Sequence, residues 1–382
     1  MNKKILILVL SNLKHDARVR RQVLALKNNY DTTVVCFAGD PPDGYELITI
    51  TPTKLTLLRK AITAVFLLLR FYSIAHKILH HYYPLLQRLA DRKFDLIIAN
   101  DVETLPLAFV FPGSPKVVFD AHEYAPRHFE DKKMWRIFFQ GFNTWLCKKY
   151  IPLTAGMMTV GKGLALEYEK NFQVTPIVIT NANNFVELEP SKVEENKIKL
   201  VHHGIATPSR KLELMIEMMA MLDNRFTLDL ILLVPGFASK KTRLYIDELR
   251  ARAQSDARIN IIPPVPSTEV VRVINRYDIG VFLLPPINFN YENTLPNKLF
   301  DFIQARLAIA IGPTPEMAEI VHHYRTGVVS NDFTPESLAD KLNSVTKSDI
   351  ETFKRNSGMA AKKLNAEINA VSINNLISKV LH

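Results

Sequence analysis

Residues 291–302 read YENTLPNKLFDF. Glu292, Asn293, Asn297, Lys298 and Asp301 bring acids, amides and an ammonium to the head of an amphipathic run, LFDFIQARLAIAIG, introduced by Pro296. Proline at a helix start presets φ and leaves the following amides free for an anion. Lys298 adds a point charge. Asp301, three residues on, falls on the same helical face. A carboxylate there can accept two hydrogen bonds from a vicinal diol such as a ribose, and Glu292 in the preceding loop could face a sugar.

A second cluster follows IKLVHHG. Gly204 stands at the end of this strand-like run, and Arg210 and Lys211 stand at the mouth of the next helical segment. Two cations beside helix-start amides make a diphosphate site. In the first half of the chain, polar groups again gather where apolar runs end. Asp16 and Arg18 follow KILILVL, where Asp16 can cap a helix and the loop could touch an acceptor. Asn100, Asp101 and Glu103 follow FDLIIA and suit a hydroxyl-rich ligand. Asp120, His122 and Glu123 follow KVVF, where His122 and Glu123 could orient and polarise a reacting hydroxyl. Pro264 and Val265, after INIIP, are placed to offer backbone contacts to a nucleotide base.

The elements that position these groups are short apolar strands alternating with amphipathic helices. TTVVCF, GMMTV and PIVITN continue the first series. LDLILLVPG, INIIP and DIGVFLLP continue the second, separated by helical RKLELMIEMMAML, KTRLYIDELRARA and STEVVRVINRY. Apolar strands of this kind belong to parallel sheets covered on both faces. The expectation is α/β, with two Rossmann-like doubly wound domains facing across a cleft. Their boundary is expected in the polar stretch 181–197, giving an N-terminal acceptor and membrane-docking domain at 1–185 and a donor domain at 186–350. A helical segment at 351–382 is expected to pack back across the domains. No glycine-rich dinucleotide fingerprint follows the first strand.

The 382 residues carry a net charge of +10, of which +9 resides in residues 1–185. That asymmetry fits a polyanion or an anionic membrane surface. Nucleic acid is not expected, because no reading motif or interleaved aromatic platform accompanies the charge. Residues 55–90 are basic and apolar. Their longest apolar stretch, AITAVFLLL, falls far short of the ~20 residues of a membrane span, but a helix of this composition can lie in an interface. The ILILVL run lacks a signal-peptide cleavage pattern, so the protein reads as cytoplasmic, peripheral at the inner face of the cell membrane. Two distant cysteines, Cys36 and Cys147, suggest neither a metal site nor a redox motif.

DARVRRQVLAL, FDLIIANDVETLPLA, VVFDAHEY, HHGIATPSRKLELMIEMM and NTLPNKLFDFIQARLAIAIGPTPEMAEIV together resemble the retaining glycosyltransferases of GT-B fold, family 4. The resemblance implies a nucleotide-sugar donor, UDP- or GDP-linked, that is a substrate rather than a cofactor. It implies transfer with retention to a saccharide or lipid-linked acceptor and no metal. It places Arg210 and Lys211 on the diphosphate, Asp301 on the ribose as the second acid of a Glu-x7-Glu motif, and His122 near the transferred sugar. The first acid of that motif would fall at Asn293, with Glu292 one residue away. Arg306 and Ala308 stand where the family usually has glycine and proline. Two alternatives accompany this reading: a nucleotide-sugar epimerase of the same fold, and a degenerate binding partner of an active transferase.

Overall fold

The computed structural model describes residues 3–382 apart from Pro41, Pro42, Thr53, His81, Tyr82, Pro235 and Phe237. The described residues divide into two compact units: 1–180 with 288–290 and 367–382, and 181–287 with 291–366. The division falls after Thr180, just ahead of the polar stretch 181–197.

The first unit is a parallel sheet of β1 (Lys4–Leu8), β2 (Asp31–Cys36), β3 (Glu46–Thr49), β4 (Leu96–Asn100), β5 (Lys116–Ala121), β6 (Gly156–Thr159) and β7 (Ile177–Val178), in the order β3-β2-β1-β4-β5-β6-β7. Successive strand side chains point to opposite faces. On β1, Ile5 and Ile7 enter one core while Leu6 and Leu8 enter the other, so an unbroken apolar run is what a sheet covered on both faces needs. The helix α1 (Ala17–Leu26) buries Val19, Val23 and Leu26 against the first of these cores.

The second unit repeats the logic with β8 (Ile198–Ile205), β9 (Phe226–Leu233), β10 (Ile259–Ile262), β11 (Ile279–Phe282), β12 (Ala308–Ile311) and β13 (Gly327–Val329), in the order β10-β9-β8-β11-β12-β13. On β12, Ala308 and Ala310 face one core and Ile309 and Ile311 the other. In both sheets the order reverses beside the first strand, between β1 and β4 and between β8 and β11. Ligands of open α/β sheets bind at the carboxyl ends flanking such a reversal.

Three features go beyond the sequence expectations. The amphipathic run after Pro296 is not one helix: it is a helix at Asn297–Gln304, a tight turn and β12. Arg306 makes the turn with φ 61°, and its buried guanidinium donates to the carbonyls of Val186, Leu188 and Gln304. Those bonds hold an arginine in a conformation that favours glycine. Second, β3 and β13 went unread, because β3 buries one residue fully and β13 none. Third, residues 351–382 fall in two helices that divide between the units. The helix Lys347–Ala361, opened by a Thr346–Asp349 capping box, belongs to the second unit, whereas nearly all of the helix Ala366–Leu381 belongs to the first. There Ile373, Ile377 and Val380 enter the core that holds Ile5 and Ile7.

Candidate active site

In the first unit, the reversal point is occupied by a buried polar network. Arg18 donates to both carboxylate oxygens of Asp120 (3.0 and 2.5 Å) and to the Ile179 carbonyl at 2.6 Å. Gln22 adds a further bond to Asp120. Arg18 is therefore a positioning group for Asp120, not an acceptor contact. Asp16 caps α1, accepting from the Val19 amide and from the Ser11 hydroxyl, which commits its carboxylate to the helix start. Asn100 is fully buried and donates to Gln22 and to the Leu8 carbonyl.

His122 is the hinge of the network. Its Nε2 donates to Asn100 Oδ1 at 3.2 Å and lies 3.7 Å from Asp120, while its Nδ1 lies 3.4 Å from Asp101. Burial by itself disfavours the imidazolium, but the Asp101 and Asp120 carboxylates outweigh it and raise His122 to about 9. At neutral pH this side chain is a charged donor rather than a base. Asp120 resists protonation: burial opposes its charge, and Arg18 and His122 override that.

Asp101 is half exposed, with φ 63° and ψ 154°, a region that only glycine occupies freely. A strained backbone there holds the carboxylate over His122. Glu103 is pushed up to about 7 by burial and by the adjacent Asp101 charge. Glu123 pairs with His128 Nε2 at 2.7 Å. His128, four residues beyond DAHEY, carries no spacing signal in the sequence; only the loop's return brings it to Glu123.

In the second unit the reversal point holds Gly204, Lys298 and a histidine pair. Lys298 is only 4% exposed. Its Nζ lies 3.1 Å from His202 Nε2 and 3.7 Å from the centre of the Phe282 ring. His202 in turn donates from Nδ1 to the Val281 carbonyl at 2.9 Å, which fixes Nε2 as the acceptor facing Lys298. Gly204 has φ 138°, and a Cβ there would sit 3.3 Å from Lys298 Nζ. Burial, then the Arg210 charge, hold the lysine well below its ordinary value.

Asp301 accepts from Asn183 Nδ2, and its second oxygen lies 3.3 Å from His203 Nε2. His203 is lowered to about 3 by burial and by the Lys298 and Arg210 charges, so this contact joins a neutral imidazole to a carboxylate. The histidines stood in plain sight in KLVHHG; their signal was position, since both end the strand that flanks the reversal.

Arg210 and Lys211 part company. Arg210 ends the short turn Pro208–Arg210, and its charge acts on Lys298 and both histidines. Lys211 takes a left-handed conformation (φ 52°), and its Nζ lies 3.6 Å from Glu213. The loop is tied by Ser209 to Tyr291, the two hydroxyls 3.1 Å apart. Pro296 is the N-cap of Asn297–Gln304 and makes no side-chain cap bond. Asn297 is exposed at its first turn, Glu292 is exposed at the end of a four-residue helix, and Asn293 is half-buried just after it. Pro264 lines a 580 Å³ cavity with Leu233, Arg250 and Ala253 beside β10, two places from β8 in the same sheet. Val265 follows in the same loop. Among the described residues no group of His, Cys, Asp or Glu side chains is arranged to hold a metal ion.

Residues 184–363, which carry Gly204, Arg210, Lys298 and Asp301, match the family described as Glycosyl transferases group 1. The match spans just under half of the chain and falls almost wholly in the second unit. No curated protein matches the sequence. Solved structures resemble the chain over its whole length. HepE from Anabaena, in complex with UDP and glucose, superposes with a TM-score of 0.66 at 15% identity, covering 99% of each chain. Sucrose-phosphate synthase from Thermosynechococcus elongatus gives 0.73 at 13% identity, again over 99% of each chain. A trehalose-6-phosphate protein from E. coli, bound with UDP-2-fluoro glucose, gives 0.70 at 8% identity, over 100% of this chain and 99% of that one. The fold is thus GT-B, with two Rossmann-like domains.

Proposed function

We propose that the transferase moves a sugar from a nucleotide-sugar donor to a hydroxyl of a saccharide or lipid-linked saccharide, as in cell-surface polysaccharide synthesis. The observation that carries this reading is the cluster of Gly204, Arg210, Lys298 and Asp301 at the reversal point of the second sheet, within the matched family domain. UDP is the favoured nucleotide, because two of the three similar structures named above hold UDP or a UDP-sugar. Arg210, Lys298 and the amides at Asn297 would meet the developing charge on the leaving diphosphate, a preorganised electrostatic role. Asp301 would hold the ribose diol. Such a site can act without a metal, and retention of configuration is proposed with it. In the first unit, charged His122 would donate to the sugar. Glu103, with its carboxyl near neutrality, would take the acceptor proton.

A panel of nucleotide sugars in a thermal-shift assay tests the donor assignment, since ligand bound to the folded state raises the melting temperature by mass action. A shift with UDP-sugars and none with nucleoside monophosphates is expected. No shift with any nucleoside diphosphate would overturn it. The non-catalytic alternative draws on one observation, the amide Asn293 where the family motif has an acid; donor binding without transfer to any acceptor would favour it.

A further inference from the structure

The helix α2 (Leu57–Leu68) is built inside out. At 3.6 residues per turn, Leu57, Leu58, Ile62, Val65, Leu68 and Leu69 share one side. That side faces outward: Leu57 is 84% exposed, Leu58 71% and Leu69 60%. The opposite side supplies Thr63 and Leu67, the helix's two buried residues, with Phe66 half-buried against the core. Arg59 and Lys60 flank the apolar stripe on either side. The stripe continues through exposed Phe71 and Ile74, at and beyond the head of α3 (Tyr72–Leu79), and through Ile137 in the turn against which α2 packs.

Monomeric soluble proteins seldom leave so large a contiguous apolar patch uncovered without a partner for it. The charge around it names that partner. From Glu46 to Asp91 the chain has no intervening carboxylate, yet it has six Lys and Arg: Lys54, Arg59, Lys60, Arg70, Lys77 and Arg88. An exposed apolar helix face in a segment whose charges are all positive matches an interface of acyl chains beneath anionic headgroups. Among the described residues no helix is long and apolar enough to cross a membrane.

We propose that α2 and the head of α3 dock this protein onto an anionic lipid surface, with Leu57, Leu58, Val65 and Leu69 entering the acyl boundary and Arg59, Lys60 and Arg70 meeting the headgroups. This docking does not depend on the transferase reading, and its test reads binding alone. The full chain is floated with phosphatidylcholine vesicles with or without phosphatidylglycerol. Flotation is expected only with the anionic lipid, and is expected to fade at high salt. The pairs Leu58→Ser with Val65→Ser and Arg59→Glu with Lys60→Glu should each lower the bound fraction at least about tenfold. Both pairs lie on the surface, so unchanged melting temperatures check their folding. The proposal is overturned if the chain ignores anionic vesicles at low salt, or if both pairs float as well as the parent. A concentration-dependent dimer that the serine pair disperses, without flotation, would also overturn it and assign the face to a second copy.

Discussion

Lys298 Nζ lies 3.1 Å from His202 Nε2, a lone pair held open by the bond from Nδ1 to the Val281 carbonyl. The lysine is kept against a neutral imidazole and an aromatic face, with its ordinary charge disfavoured by burial. A diphosphate arriving beside it would restore that charge.

Binding of UDP should therefore take up protons. Titration calorimetry in buffers of different ionisation enthalpy should show net uptake in the parent and less in Lys298→Met. Affinity should strengthen as pH falls through the range where the free lysine titrates. Equal uptake in both proteins would detach Lys298 from the diphosphate.

Arg210 and Lys211 should differ in kind. Arg210→Ala is expected to lower kcat by about 10²-fold or more, the scale of losing one charge-stabilising donor. Lys211→Gly should leave kcat within a few-fold and raise the melting temperature, because a left-handed residue is relieved of roughly 1 kcal/mol of strain. Steady-state kinetics and a thermal melt on both variants decide this. The reverse ranking would restore Lys211 to the site.

Asp101→Gly separates stability from function. Its backbone strain, on the order of 1–3 kcal/mol, should be released, so at pH 9.5, where the His122–Asp101 attraction no longer contributes, the variant should withstand more urea. Transfer should fall, because His122 loses the carboxylate beside Nδ1. A variant that is both less stable and fully active would remove Asp101 from the network.

The His122 contribution to stability has a defined pH window. Its folded value, about 9, lies above the ordinary 6.5. The stabilisation is thus fully present below pH 6.5 and is lost as pH climbs through 9. Urea midpoints from pH 6 to 9.5 should decline along this limb, and less steeply in His122→Gln. In the same range Glu103 governs rate: if it takes the acceptor proton, kcat should rise as pH passes about 7, and Glu103→Gln should flatten that rise.

Breaking the buried pair should be costly. Arg18→Met leaves the buried Asp120 carboxylate to His122 and Gln22 alone, a loss below the about 3–5 kcal/mol of a fully orphaned buried charge. Asp120→Asn in the same chain should recover part of it, and a double-mutant cycle in urea measures the coupling.

Much of this architecture was legible because fully covered parallel sheets write themselves as apolar runs: KILIL, LIIAN and AIAI are each buried strands or nearly so. The edge strand ELIT escaped because one-sided, shallow burial leaves no such run. Site residues were legible as positions, not as roles. Strand ends pointed to Asp101, His122 and Gly204, but a sequence cannot say that Arg18 turns inward to Asp120 or that adjacent Arg210 and Lys211 diverge at a left-handed residue.

The helix Ala366–Leu381 has a consequence for the order of synthesis. It emerges from the ribosome after all of the second unit, yet Ile373, Ile377 and Val380 fill a core begun by Ile5 and Ile7. The first unit's sheet must wait, with that patch uncovered, while its neighbour is translated. The half of the chain that starts first is the half that finishes last.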